Sequence, residues 1–183
     1  MNSRRVSLSS YTNGGYSPGT LTLRILWYLC SIVIFETKLP FPSALKVLLL
    51  RCFGAVIGRG VVIKPAVKIK YPWFLKVGSY TWVGEGVWID NLYMVDVGEN
   101  CCLSQGAMIL TGNHDYKVES FDLIVAGVEL GEGVWLGAKS VVCPGVAICN
   151  YAVISVGSVV TGSCEENGVY QGNPCFLKRK RFN

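Results

Sequence analysis

From Ile57 onward an aliphatic residue returns every six positions: Ile57, Ile63, Ile69, then Val77, Val83, Ile89, then Val97, Leu103, Ile109. After a gap it resumes at Leu130, Leu136, Val142, Ile148, Ile154 and Val160. All are Ile, Leu or Val, although these types make up only 53 of 183 residues, so chance would supply about four such matches. A period of six fits neither a helix nor an alternating strand. It fits a short strand plus a turn, three of which close a triangular coil. Coils of this kind stack at the spacing of adjacent strands, about 4.8 Å. Each inward aliphatic side chain then rests on its equivalent in the next coil, so a single coil buries little by itself. The following residue is often glycine (Gly58, Gly78, Gly84, Gly98, Gly131, Gly137). The expected architecture is mainly β: a parallel β-helix of about five coils over residues 55–165.

The breaks in the repeat fall in one place. Steps of eight separate Ile69 from Val77 and Ile89 from Val97, and a step of 21 separates Ile109 from Leu130. Assigned in turn to three faces, all three insertions lie at the corner between the third face and the first. The long one spans roughly 112–127, and an insertion this long inside a regular array is usually functional.

Residues 1–54 precede the repeat. The stretch 21–35 (LTLRILWYLCSIVIF) reads as an apolar helix, too short to span a bilayer comfortably and interrupted by Arg24. Pro40 and Pro42 break the chain, Ser43 is placed to cap a second helix, and Gly54 to end it. Two roles stay open for these helices: capping the exposed edge of the first coil, or peripheral membrane contact through Leu26, Trp27 and Phe35.

Composition narrows the function. Half the residues are hydrophobic and 16% are charged, which excludes a disordered chain. The net charge of +5 gathers largely at the ends, at Arg4 and Arg5 and at Lys178, Arg179, Lys180 and Arg181. Residues 166–183 are expected as a basic tail, either solvated or facing a phosphate-bearing ligand or an anionic membrane. No basic stripe interleaved with aromatics runs through the body, so no nucleic-acid partner is expected. The eight cysteines show no C-x-x-C, two of them (Cys101, Cys102) are adjacent, and no signal peptide is visible. The expectation is a reduced cytoplasmic protein whose cysteines serve as small apolar residues.

The one histidine, His114, opens the long insertion within TGNHDY. Neutral imidazole can take a proton from an alcohol near pH 7. Its neighbours Asn113 and Asp115 are polar, and either Asp115 or a backbone carbonyl is placed to orient the ring. A single histidine cannot supply a three-histidine zinc site, and the cysteines lack zinc-ligand spacing, so no metal is expected. No G-x-S-x-G elbow is present either. Cys101, Cys102 and Cys143 stay open as nucleophiles.

The ordered set of the hexapeptide array, TGNHDY, VWLG (134–137), PGV (144–146), GSVVT (157–161) and GNPC (172–175) resembles the hexapeptide-repeat O-acetyltransferases. LLRCFGAVIG (49–58), YPWFLKVG (71–78) and LWY (26–28) are similar to the branch of the colanic acid biosynthesis acetyltransferases. The resemblance covers nearly everything from residue 21 on. It implies a left-handed β-helix, a homotrimer, and acetyl-CoA as co-substrate in a groove between neighbouring prisms. It implies transfer of acetyl to a sugar hydroxyl in exopolysaccharide or surface-glycan synthesis, with localisation in the cytoplasm or at the inner face of the membrane. His114 matches the family's catalytic histidine, and Trp135 a tryptophan along the pantetheine arm. Arg179 matches a basic position near the nucleotide, and Asn91, with Asp90, a polar position facing the acceptor. Asn113 and Asp115 fall with the acceptor site, and Gly137, Ala138, Val156, Thr161 and Lys178 with the CoA site. Two departures stand out. Thr161 is followed by Gly162 where the family often has lysine, removing one cationic contact, and Cys175 replaces an alanine. Two other functions remain open: an N-acetyltransferase acting on an amino sugar or antibiotic, and a catalytically silent assembly module.

Overall fold

The computed structural model describes residues 5–182, so Arg4 lies outside the described residues. The chain is a left-handed parallel β-helix entered through two helices. Its first face stacks Val56–Ile57, Leu75–Val77, Val95–Val97, Val128–Leu130 and Ala147–Ile148. The second stacks Val62–Ile63, Trp82–Val83, Cys102–Leu103, Trp135–Leu136 and Val153–Ile154, and the third ends on Val141–Val142 and Val159–Val160. All fifteen repeat positions are buried, none more than 6% exposed, because every one points into the prism. The glycines that follow them have a physical cause. A Cβ at Gly58, Gly84 or Gly137 would lie 2.5–2.7 Å from backbone of the next coil. Side chains there would force the coils apart.

Five coils are complete and a sixth is begun. Cys164 bridges to Ile148 on the first face, and Gly168–Gly172 adds to Val153–Ile154 on the second. The chain then turns back as Cys175–Lys180, antiparallel to Gly168–Gly172. Residues 166–183, expected as a tail, therefore hold the last two strands of the second face. Val169 pairs with Arg179 and Tyr170 with Leu177, leaving Lys178 as the extra residue of a bulge.

At the other end lies the open edge of the first coil, whose outward N–H and C=O groups need partners. The helices α1 (Leu21–Cys30, continued by a π turn, Ser31–Phe35) and α2 (Ser43–Cys52) supply them. On the first face Arg51 donates to Ile57 O and Gly58 O. On the second, Ser43 Oγ accepts from Ile63 N at 3.0 Å and Lys46 Nζ donates to Lys64 O at 2.8 Å. On the third, Trp27 Nε1 donates to Ile69 O at 2.9 Å. The capping role is thus met by one or more side chains per face. Two expectations are corrected. Ser43 is the first residue of α2 rather than its cap, since its hydroxyl is committed to the coil; Pro42 holds the cap position. Trp27 and Phe35 pack edge to face in the core, 3% and 0% exposed, so of the three residues expected at a membrane only Leu26 faces outward. Gly54 does end α2, at φ +90, with Ala55 N donating back to Leu50 O.

Lys46 is fully buried, and burial lowers its pKa. Its replacement by alanine leaves the part-buried carbonyl of Lys64 without that donor. We expect Lys46→Ala to lower the free energy of unfolding by roughly 1–3 kcal/mol, read from urea denaturation.

Candidate active site

The long insertion forms a hairpin. Gly112–His114 pairs antiparallel with Leu123–Val125, placing His114 opposite Leu123. The hairpin projects from the corner between the third and first faces, where Gly112 packs against the end of the Leu92 side chain. The His114 ring lies flat on Phe121, centroids 4.4 Å apart and planes 6° apart, with Tyr11 at 5.8 Å on a tilted approach. Its Nδ1 is 3.0 Å from Phe121 O. A carbonyl only accepts, so Nδ1 carries the proton and Nε2 of the neutral ring keeps its lone pair. The backbone carbonyl, not Asp115, is therefore the orienting group. The Asp115 carboxylate instead accepts from Lys117 N, and Asn113 Oδ1 accepts from the N–H of His114.

His114 opens on a polar cleft of about 420 Å³, lined also by Tyr11, Tyr16, Arg24, Lys70 and Asp90. Asp90 ends a strand of the third face, and its carboxylate meets Lys70 Nζ at 2.9 Å. Its neighbour Asn91 does not face this cleft, which corrects the expectation. Asn91 is fully buried; Oδ1 accepts from the N–H groups of Lys70 and Tyr71, and Nδ2 donates to Tyr71 O and Phe74 O. All its hydrogen-bonding capacity is spent on holding the inserted corner of the preceding coil.

Sequence reasoning missed the N-terminal arm. Ser7 N donates to Glu119 O of the long loop, and Tyr16 Oη donates to Leu92 O. These anchors carry Tyr11, Asn13, Tyr16 and Pro18 over the His114 cleft. Burial pushes the Tyr16 phenol well above its ordinary pKa, so it stays a neutral wall. Phe121 was missed as well. Residues 5–18 show no periodicity, so nothing in the sequence ties them to a hairpin a hundred residues away.

A second groove, of about 460 Å³, lies on the second face and its corner with the third. Of the residues expected at the CoA site, Trp135, Gly137, Ala138, Val156 and Arg179 line it; Thr161 and Lys178 do not. Trp135 is held by donation from Nε1 to Ser104 Oγ at 2.9 Å. The corner turns leave backbone donors over. Gly137 N donates to Ile154 O and Lys139 N to Gln105 O, but the N–H of Ala138 between them meets no acceptor among the described residues. The basic run at the chain end divides. Lys180 pairs with Glu165 at 3.1 Å and Arg181 donates to Gly133 O and Tyr151 O, leaving Arg179 at the groove. An adjoining cleft of about 510 Å³ continues the groove past Trp82 and Cys102.

Cys101 and Cys164 are buried as the apolar reading expects, whereas Cys52 and Cys149 are exposed. Cys101 is buried, donates to Gly131 O, and has its pKa pushed up to about 11 mainly by burial; Cys143 is raised by the same cause. Neither thiol is poised as a nucleophile, and no cysteine lines the His114 cleft. Among the described residues no three His, Cys, Asp or Glu side chains come together as a metal site.

A prism of hexapeptide coils, interrupted once by a hairpin that presents an oriented imidazole, defines the class of hexapeptide-repeat acyltransferases. No protein-family model matches the chain. It is 36% identical to WcaF of Escherichia coli (strain K12), described as a colanic acid biosynthesis acetyltransferase, over 91% of this chain and 92% of that protein. It is 32% identical to the galactoside O-acetyltransferase of Lactococcus lactis, over 79% and 72% of the two chains. Among solved structures, the hexapeptide-repeat acetyltransferase of Vibrio cholerae complexed with acetyl coenzyme A superposes with a TM-score of 0.82, covering 96% of this chain and 97% of that one at 17% identity. The chain belongs to the hexapeptide-repeat O-acetyltransferases, within the branch of the colanic acid biosynthesis acetyltransferases.

Proposed function

We propose that the protein transfers acetyl from acetyl-CoA to a hydroxyl of a sugar in the synthesis of a surface polysaccharide. The observation that carries this reading is the hydrogen bond from His114 Nδ1 to Phe121 O, which leaves Nε2 basic in a polar cleft. Nε2 takes the hydroxyl proton as the oxygen bonds to the thioester carbon. The charge that develops on the carbonyl oxygen is met by a free backbone donor such as the Ala138 N–H. The C–S bond then breaks, and the proton on Nε2 passes to the departing CoA thiolate. Acetyl-CoA transfer assayed against a panel of glycans, with the product weighed by mass spectrometry, tests this reading. Absence of transfer to every hydroxyl acceptor would overturn it.

The working form in this reading is a homotrimer. Within one chain the His114 cleft and the Trp135 groove share no lining residue and sit at different corners. The faces also differ in what they present. The first turns Val56, Lys76, Asp96, Glu129 and Ala147 outward, whereas the third turns out Lys68 and then Trp88, Met108, Val141 and Val159. A closed three-fold arrangement covers the apolar face and brings one protomer's His114 to its neighbour's groove. The enzyme works in the cytoplasm, with peripheral contact at the membrane's inner face.

Arg179 is the cation this reading gives to the phosphates of CoA. Arg179→Ala should raise KM for acetyl-CoA about 3–10-fold, an effect that shrinks with added salt. Lys180→Ala, which removes a cation already paired with Glu165, should leave KM unchanged. Steady-state kinetics with varied acetyl-CoA separates the two.

A further inference from the structure

The outer side of α1 and its π turn is apolar and uncovered among the described residues. Leu21, Ile25, Leu26, Leu29, Ile32 and Val33 are all exposed, 44% or more, while Trp27, Ser31 and Phe35 on the opposite side are buried against the first coil. At about 100° per residue these six fall within an arc of about 140°. Single exposed aliphatics are ordinary on a protein surface; a contiguous row of six is not. Among the described residues no helix is long and apolar enough to cross a membrane. A surface of this shape instead suits the headgroup plane, with the apolar side sunk toward the acyl chains.

Charge says which surface. Residues 1–54 hold six Lys or Arg and one acidic residue, whereas residues 55–183 hold eleven of each. The whole net charge of +5 therefore belongs to the segment that carries the apolar face. Lys46 and Arg51 are turned onto the first coil and Glu36 accepts from Ser31 on the buried side of the helix, which leaves Arg24 within α1 and the exposed Lys38 just beyond the π turn. A second copy docking here would set like charges together, whereas anionic headgroups would complement them.

We propose that this face of α1 is a docking surface for an anionic lipid bilayer. The inference deepens, and rests on, the reading of an enzyme that works at the membrane's inner face, since the same helix also walls the clefts. Arg24 lines the His114 cleft, and Tyr28 lines an apolar cleft of about 320 Å³ that shares Lys70, Tyr71 and Asp90 with it. Seating α1 on a bilayer brings the acceptor site to the lipid–water boundary.

The test uses the full chain and vesicles of equal parts phosphatidylglycerol and phosphatidylcholine, read by sedimentation. The parent should co-sediment at low salt. Partitioning should fall by about ten-fold or more in the triple variant Ile25→Gln, Leu26→Gln, Leu29→Gln, on pure phosphatidylcholine, and in about 0.5 M salt. These three side chains are exposed and line neither cleft, so transfer from acetyl-CoA to a soluble oligosaccharide should stay within about two-fold of the parent. A parent that ignores anionic vesicles, or a triple variant that binds them as the parent does, overturns the proposal. So does a triple variant of lower mass by light scattering, which would assign the face to contacts between copies. A parent that transfers acetyl yet binds no vesicle loses the docking surface alone. One that binds vesicles yet transfers to no soluble acceptor loses the proposed reaction, while the lipid surface stands.

Discussion

His114→Ala is expected to lower acetyl transfer roughly 10²–10⁴-fold, the range for loss of a general base, while acetyl-CoA affinity stays nearly unchanged. The asymmetry follows from the two sites being separate. Within one chain His114 shares no lining residue with the groove of Trp135, Ala138 and Arg179, and in the proposed composite site it meets CoA only at the thioester, so its removal strips the proton acceptor while the contacts along the rest of CoA remain. The fold should tolerate the change. The ring is half-buried on a hairpin that leaves the prism, and among the described residues its one side-chain hydrogen bond is to the carbonyl of Phe121. Single-turnover rates measure the chemical step, and calorimetric titration of CoA measures the affinity. A variant that loses both in equal proportion would make His114 a structural residue of the hairpin. One that keeps its rate would require a mechanism without the imidazole.

The fold was legible because its information repeats. Each inward aliphatic position is local, recurs at a fixed step and has one physical role, so fifteen of them fix three faces and the corner where the insertions must lie. The glycine after them reports the same geometry, a backbone passing within contact distance one coil away. The site was legible only in part. His114 stood out by its place in the one long insertion, but the carbonyl that orients it belongs to Phe121, brought back by the turn of the hairpin. Asn91 misled because a polar residue at a corner looks the same in sequence whether it faces a ligand or ties down the coil below. Its four partners lie seventeen to twenty-one residues away, a separation that only the stacked coils bring to contact. The terminal basic run likewise reads as a uniform charge. Strand pairing and a bulge then send Arg179, Lys180 and Arg181 to three different partners.

Mixing two dead enzymes should give a live one. If each working site joins His114 of one protomer to the groove of its neighbour, a His114→Ala chain still offers an intact groove. An Ala138→Phe chain, whose ring fills the groove at a half-buried corner, still offers an intact His114. Neither homotrimer contains a complete site, so each should retain about 1% of parent activity or less. In trimers assembled at random from equal amounts, half the histidine positions and half the grooves are intact. About a quarter of the composite sites then carry both, and activity should recover to about a quarter of the parent. Co-expression with two distinguishable tags, followed by sequential purification, isolates the mixed trimers, each with one complete site of its three, so their activity should rise to about a third of the parent. Mixing the folded homotrimers without dissociation is the control and should restore little. The size of the recovery discriminates sharply, because a site built within one chain gives none: every chain in the mixture is broken in one half. Recovery near about a third in the isolated mixed trimers would establish the shared site. Activity no higher than that of the two variants alone would return the donor groove and His114 to the same chain, and with it overturn the placement of acetyl-CoA between protomers.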